Sequence, residues 1–167
     1  MSEEIKNRVA NSKLVTIDLE DFYPKGERIL FDIKKWLFEE QILKEKDFRA
    51  FVNNHNWQIY QNKFVALTCS AEAIIPSWAY LLITIALAPF AKKLVIGNLE
   101  VLEITIFQEI INQLPIDHYL EKPIIIKGCS NKPIPQTAYT QLISKLLPIA
   151  KSIMYGEACS SVPLYKK

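Results

Sequence analysis

From residue 63 onward, apolar residues fall into short unbroken runs separated by polar turns, the pattern of strands buried on both faces. Residues 65–68, 94–96, 124–127 and 153–155 are four such runs. A longer segment opened by a proline, Pro76 or Pro135, lies between the first two runs and again between the last two. Proline suits a first helical turn, where its missing N–H costs nothing. A second proline, Pro89 or Pro148, follows where it can finish the helix. Between these halves Asn98 precedes a stretch in which Leu99, Leu102, Ile106, Phe107, Ile110, Ile111 and Leu114 share one helical face, and Pro115 ends it. The order β-α-β-α-β-α-β predicts an α/β fold, a mostly parallel sheet with right-handed crossovers and flanking helices.

The residues repeat as well as the periods. Segment 76–97 aligns with 135–156 without a gap, and Pro76/Pro135, Ala79/Ala138, Tyr80/Tyr139, Leu87/Leu146, Pro89/Pro148, Ala91/Ala150, Lys92/Lys151 and Gly97/Gly156 are identical. Ahead of the copies, KFVALTCS answers KPIIIKGCS. Similarity at a fixed offset predicts an internal β-α-β duplication, 63–97 and 122–156, forming the core (63–167) of a single domain over 1–167. Residues 1–62 form an α+β segment packed on that core. In it, 14–17 reads as a strand entering the acidic Asp18, Glu20 and Asp21, solvated turn carboxylates by the plainer reading. Residues 30–33 are a strand or the start of a helix around Trp36, and 44–53 is a helix with Phe48, Phe51 and Val52 inward.

The two proline-led helices differ on one face. The second carries Gln136, Thr140, Gln141, Ser144 and Lys145, where the first carries Ser77, Leu81, Leu82, Ile85 and Ala86. Residues 73–91 hold no charge and match a bilayer span in length, but two prolines and the water-facing copy argue against one. An apolar face at a position that tolerates water is covered by something. The expected cover is a second copy of the chain, a homodimer through helix 76–91.

Charge and composition work by exclusion. The net charge is +2, and only Arg8, Arg28 and Arg49 are arginines, scattered along the chain, which argues against nucleic-acid binding. The opening MSEEIKNRVANSKL lacks the apolar core of a secretory signal. Three cysteines without close pairing suit a reducing compartment, so a cytoplasmic location is expected. The four glycines are isolated, which rules out a dinucleotide fingerprint or a P-loop, and there is no G-x-S-x-G elbow. His55 and His118 offer no serine-protease-like triad.

Every cysteine is followed by serine: Cys69-Ser70, Cys129-Ser130 and Cys159-Ser160. All three pairs follow predicted strands, on the edge where an open α/β sheet binds ligands. Converging thiols predict a metal site of Cys69, Cys129 and Cys159 completed by Glu157, with Glu72 and His118 as other completers. Zinc, iron or an iron–sulfur cluster would suit it, with Ser70, Ser130 and Ser160 contacting the cofactor. No residue is assigned a catalytic role, and a binding or accessory protein is expected rather than an enzyme. Two other functions stay open: a thiol-dependent sulfur carrier or redox enzyme, and a structural adaptor acting through helix 76–91. Buried cysteines beside serine helix caps are the plain structural alternative.

IDLEDFYPKGERILFDIKKWLF, VALTCSAEAIIPSWAY, IIIKGCSNKPIP and AKSIMYGEACSSVPLYKK resemble the domain of unknown function family 2480, over nearly the whole chain. The resemblance implies a small cytosolic bacterial protein without an assigned activity, and it transfers no catalytic residues. It also implies an association with iron–sulfur cluster assembly proteins as partners.

Overall fold

A computed structural model describes residues 13–128 and 130–167. The leading residues read above for a secretory signal, up to Ser12, lie outside the described residues, as does Cys129. The strands are β1 (Val15–Ile17), β2 (Arg28–Asp32), β3 (Phe64–Thr68), β4 (Lys93–Ile96), β5 (Pro123–Ile126), β6 (Ser152–Glu157) and β7 (Ser160–Lys166). The helices are α1 (Glu45–Asn54), α2 (Ser77–Leu87), α3 (Leu99–Gln113) and α4 (Gln136–Leu146). The fold is α/β and its strands are mostly parallel, but they form two sheets, ordered β2-β3-β4 and β1-β5-β6-β7. The described chain falls into two compact units, Pro24–Ile106 and a second made of the residues through Tyr23 with Phe107–Lys167.

In the Pro24–Ile106 unit β3 is the central strand, parallel to β2 on one side and β4 on the other. Its Phe64, Val65, Ala66 and Leu67 are all buried, which is why the sequence there is a continuous apolar run. Helix α2 covers it with Ala79, Ile83 and Leu87, spaced four apart on one stripe. The same core takes in Phe31, Phe48 and Tyr60, with Trp36 and Trp57 packed against it. The Trp57 indole donates to the Val52 carbonyl at 2.8 Å and so uses one of the free carbonyls at the end of α1. Phe48 of α1 is buried as expected, whereas Phe51, expected inward, is 43% exposed. Helix α2 spans only 11 residues, roughly 16 Å and about half a bilayer's hydrocarbon thickness. No helix of the described residues is long and apolar enough to cross a membrane.

The second unit has β5 at its centre, parallel to β1 and β6, with Ile124, Ile125 and Ile126 buried. Helix α4 covers it with Ala138, Leu142 and Leu146, and Phe107, Ile111 and Leu114 of α3 complete the core. Asn98 caps α3 as expected, its side-chain oxygen accepting the Val101 N–H at 2.9 Å. Leu99, assigned to the apolar face, is instead 39% exposed. Strand β7 runs antiparallel to β6 along the edge of the sheet, where Pro163 is tolerated. Gly156 turns the chain into this hairpin with φ +123°, and a Cβ there would lie 2.7 Å from the Ser160 carbonyl oxygen.

The two units share a succession of elements. Each has a strand leading into a 3₁₀ turn, a buried central strand, a helix entered from proline, and a third parallel strand. The prolines ahead of α2 and α4 have nearly the same backbone angles, −67°/143° and −68°/143°. The strands β1 and β2 pair within the sheets, beside β5 and β3 respectively.

Candidate functional site

In the Pro24–Ile106 unit, β2 ends at Asp32, in register with Thr68 of β3. The Asp32 carboxylate caps the 3₁₀ turn Ile33–Trp36 by accepting the Lys34 N–H at 3.0 Å. It also accepts the Ser70 N–H at 3.0 Å and the Ser70 hydroxyl at 2.5 Å. Burial pushes the Asp32 pKa up, but the Ser70 hydroxyl, the two N–H donors and the Lys34 charge overcome it and hold the pKa below the ordinary value. A charged carboxylate of the chain itself therefore takes the donors that an anionic ligand would seek at such an edge.

Cys69, one residue earlier, is partly buried against the core, with its sulfur 3.8 Å from the Ala71 carbonyl. Tyr80 of α2 lies near both groups: burial raises its pKa, and the Cys69 and Asp32 side chains add to the effect, so it remains a protonated donor. Above Ser70 opens a cleft of about 740 Å³, lined by Lys34, Glu39, Glu40, Ile42, Leu43, Glu72 and Ile74 among others. Lys34 pairs with Glu40 at 3.1 Å. Glu39 and Glu40 both have positive φ, 51° and 56°, in a tight turn closed by the Phe38 N–H to the Ile42 carbonyl at 2.7 Å. Two consecutive non-glycine residues in this region cost about 1 kcal/mol or more each.

The second unit arranges its edge differently. Asp18 caps the turn Leu19–Phe22 through the Glu20 N–H at 2.9 Å and pairs with Lys127 at 3.0 Å. Glu20, not the aspartate, reaches the loop after β5, accepting the Ser130 hydroxyl at 3.2 Å and the Asn131 N–H at 2.9 Å. The hydrogen bond and charge of Asp18 raise the Lys127 pKa, and Glu157 and Glu20 contribute. Glu157 ends β6, so the carboxyl ends of β1, β5 and β6 share one electrostatic cluster.

The expected ligands are divided between the units. Cys69 and Ser70 belong to Pro24–Ile106; Ser130, Glu157, Cys159 and Ser160 belong to the other, and Cys129 lies outside the described residues. Cys159 sits exposed in the turn joining β6 to β7, a hairpin the sequence reading missed, and Ser160 opens β7 opposite Glu157. Among the described residues, no three His, Cys, Asp or Glu side chains are grouped as metal ligands. Of the alternative completers, Glu72 lines the cleft and His118 is exposed beside Tyr119. Asp32 and the Glu39–Glu40 turn escaped sequence reasoning. The available signal was the shared apolar-Asp-apolar strand end, Ile17-Asp18-Leu19 and Phe31-Asp32-Ile33.

A family model described as protein of unknown function (DUF2480) matches residues 3–167. No curated protein and no solved structure matches the chain.

Proposed function

This chain belongs to the DUF2480 family, and from that premise we propose that it is a non-catalytic binding protein. It takes a neutral or cationic ligand at the carboxyl edge of the β2-β3-β4 sheet. The carrying observation is the cleft above Ser70, whose N–H and hydroxyl are already committed to Asp32. Glu39 and Glu72 line the cleft without an ion pair among the described residues, while its one lysine is paired with Glu40. An anion would meet the carboxylates of Glu39, Glu40 and Glu72. Fragment screening by NMR on the full chain tests this: binders should shift the amides of Lys34 and 70–74, and lose effect in Ser70→Trp. A screen that leaves those amides unmoved overturns it.

We infer a second, narrower role from the cysteines: a metal ion or iron–sulfur cluster held by Cys69, Cys129 and Cys159 with Glu157, in partnership with iron–sulfur assembly proteins. The repeated Cys-Ser pattern supports it, as does the exposure of Cys159 next to Glu157 at the end of β6. A cytoplasmic setting, which keeps thiols reduced, goes with this reading. Elemental analysis and an absorption spectrum of anaerobically purified protein should lose metal when any one cysteine becomes serine. Unchanged content in all three variants ends the idea.

We further propose that α2 pairs with its counterpart in a second copy, and that 63–97 and 122–156 descend from one duplicated unit. On α2, Leu81 and Ile85 are 56% and 71% exposed, whereas the matching positions of α4 carry Thr140 and Ser144. No charged residue lies within α2, so two copies meet without like-charge repulsion. Light scattering should give twice the 19.2 kDa chain mass, falling to one chain mass in Leu81→Lys/Ile85→Lys. A wild-type mass of one chain rejects the pairing.

A further inference from the structure

We propose that a groove beside α1, separate from the cleft above Ser70, binds small quaternary-ammonium compounds. Asp47, Ala50, Phe51 and Asn54 are spaced i, i+3, i+4 and i+7, and therefore stand on one face of α1. The segment leaving the 3₁₀ turn runs alongside and adds Trp36 and Phe38, enclosing about 320 Å³. That volume is small-molecule sized, at the lower end of ligand pockets. Ala50 also lines the groove, so a larger side chain there would intrude on it.

The lining selects for charge and kind of ligand. Phe38 and Phe51 are 44% and 43% exposed, an outlay of aromatic surface that folding does not require. Phe51 stacks on Trp36, with centroids 5.7 Å apart and planes 20° off parallel. Trp36 is itself held edge-on by Phe48 and His55, so the platform is built before any ligand arrives. The Phe38 ring already draws a cation: the Lys44 ammonium lies 3.2 Å from its centroid. Asp47 is the one charged side chain lining the groove and has no hydrogen bond or ion pair among the described residues. A ligand cation is drawn by the Phe51–Trp36 stack and Asp47, and it displaces Lys44 where it uses the same face of Phe38. A quaternary ammonium suits this lining better than a primary amine, since it has no N–H to leave unpaired against ring faces.

Choline chloride titrated into the full chain at low ionic strength, followed by NMR and by tryptophan fluorescence, tests the proposal. The control is 3,3-dimethylbutan-1-ol, which has the same shape without the charge. Choline should bind saturably and shift the amides of Ala50 and Asn54, with the neutral alcohol weaker by about tenfold. Asp47→Asn and Phe38→Leu, both at exposed positions, should each weaken choline by about fivefold while the unfolding curve stays in place. Ala50→Leu, which keeps the helix, should abolish binding. Absence of saturable choline binding, equal binding of the alcohol, or wild-type affinity in folded Asp47→Asn and Phe38→Leu would each overturn it.

Discussion

Helices α2 and α4 bury alanine and two large aliphatic residues at matching places, yet the matching faces they turn to solvent differ in polarity. Ala79, Ile83 and Leu87 lie under one helix and Ala138, Leu142 and Leu146 under the other, all at most 1% exposed. On the outer side, Leu81 and Ile85 stand where Thr140 and Ser144 stand in the other unit. The inner face is dictated by the sheet beneath it and is therefore the same. The outer face is not dictated by folding, so the apolar choice in α2 reports something that folding of the unit leaves unexplained. The carboxyl edges differ in the same way: Asp32 secures the loop after β3 directly, whereas Asp18 goes to Lys127 and Glu20 takes over the loop after β5.

The strongest test of this parallel is in the cores. Ile83→Ala and Leu142→Ala should each cost about 2–5 kcal/mol in urea unfolding, since both positions are fully buried. A loss below about 1 kcal/mol in one of them would break the equivalence. Next come the glycines that end β4 and bend β6. Gly97→Ala and Gly156→Ala both force a side chain onto positive φ, at a cost of roughly 1–3 kcal/mol. The cost should be larger at Gly156, where the new Cβ meets a backbone oxygen at 2.7 Å, than at Gly97, where it meets the Val101 side chain at 3.0 Å. Thermal unfolding of the pair checks the order.

Smaller effects distinguish the edges. Asp32→Ala should cost about 1–2 kcal/mol and exceed Asp18→Ala, because it strips a turn cap and the Ser70 N–H together. Denaturant midpoints of the two variants decide it. The mildest probe is pH. Burial among aromatic rings lowers the His55 pKa, so the folded state favours the neutral ring. Stability from this source is complete above the unfolded value near 6.5 and declines as pH falls below it toward the folded value. Hydrogen exchange should therefore quicken around α1 in mild acid. Asp32, whose folded pKa is depressed, adds its loss only at lower pH, as the carboxylate is protonated. His55→Gln should flatten the first phase; a profile unchanged by that substitution would remove His55 as its cause.

How much was legible follows from the reach of each interaction. Residues 65–68 and 124–127 read as strands because a central parallel strand is apolar on both faces, and the observed β3 and β5 overlap them closely. Strand β7 did not read as one: its serines and Pro163 look like a tail, and only pairing with β6 makes it a strand. The cysteine and serine positions could be placed just beyond strand ends by counting. Asp32 could not be connected to Ser70, because 38 residues separate them and their contact exists only once β2 pairs with β3. Phe51 was expected inward because aromatic residues in an amphipathic stretch usually point there, but α1 is short and its groove face keeps the ring half open.

The sequence by itself determined the α/β character, the proline-led helices with their buried stripes, and the family. Each of these depends on local periodicity or on neighbouring residue types, which a single chain carries openly. Tertiary structure alone decided that the strands divide into two sheets, which carboxylate secures which loop, and where the cleft and the aromatic groove open. Those outcomes depend on pairings between distant segments, whose energies are felt only when strand edges and helix faces meet.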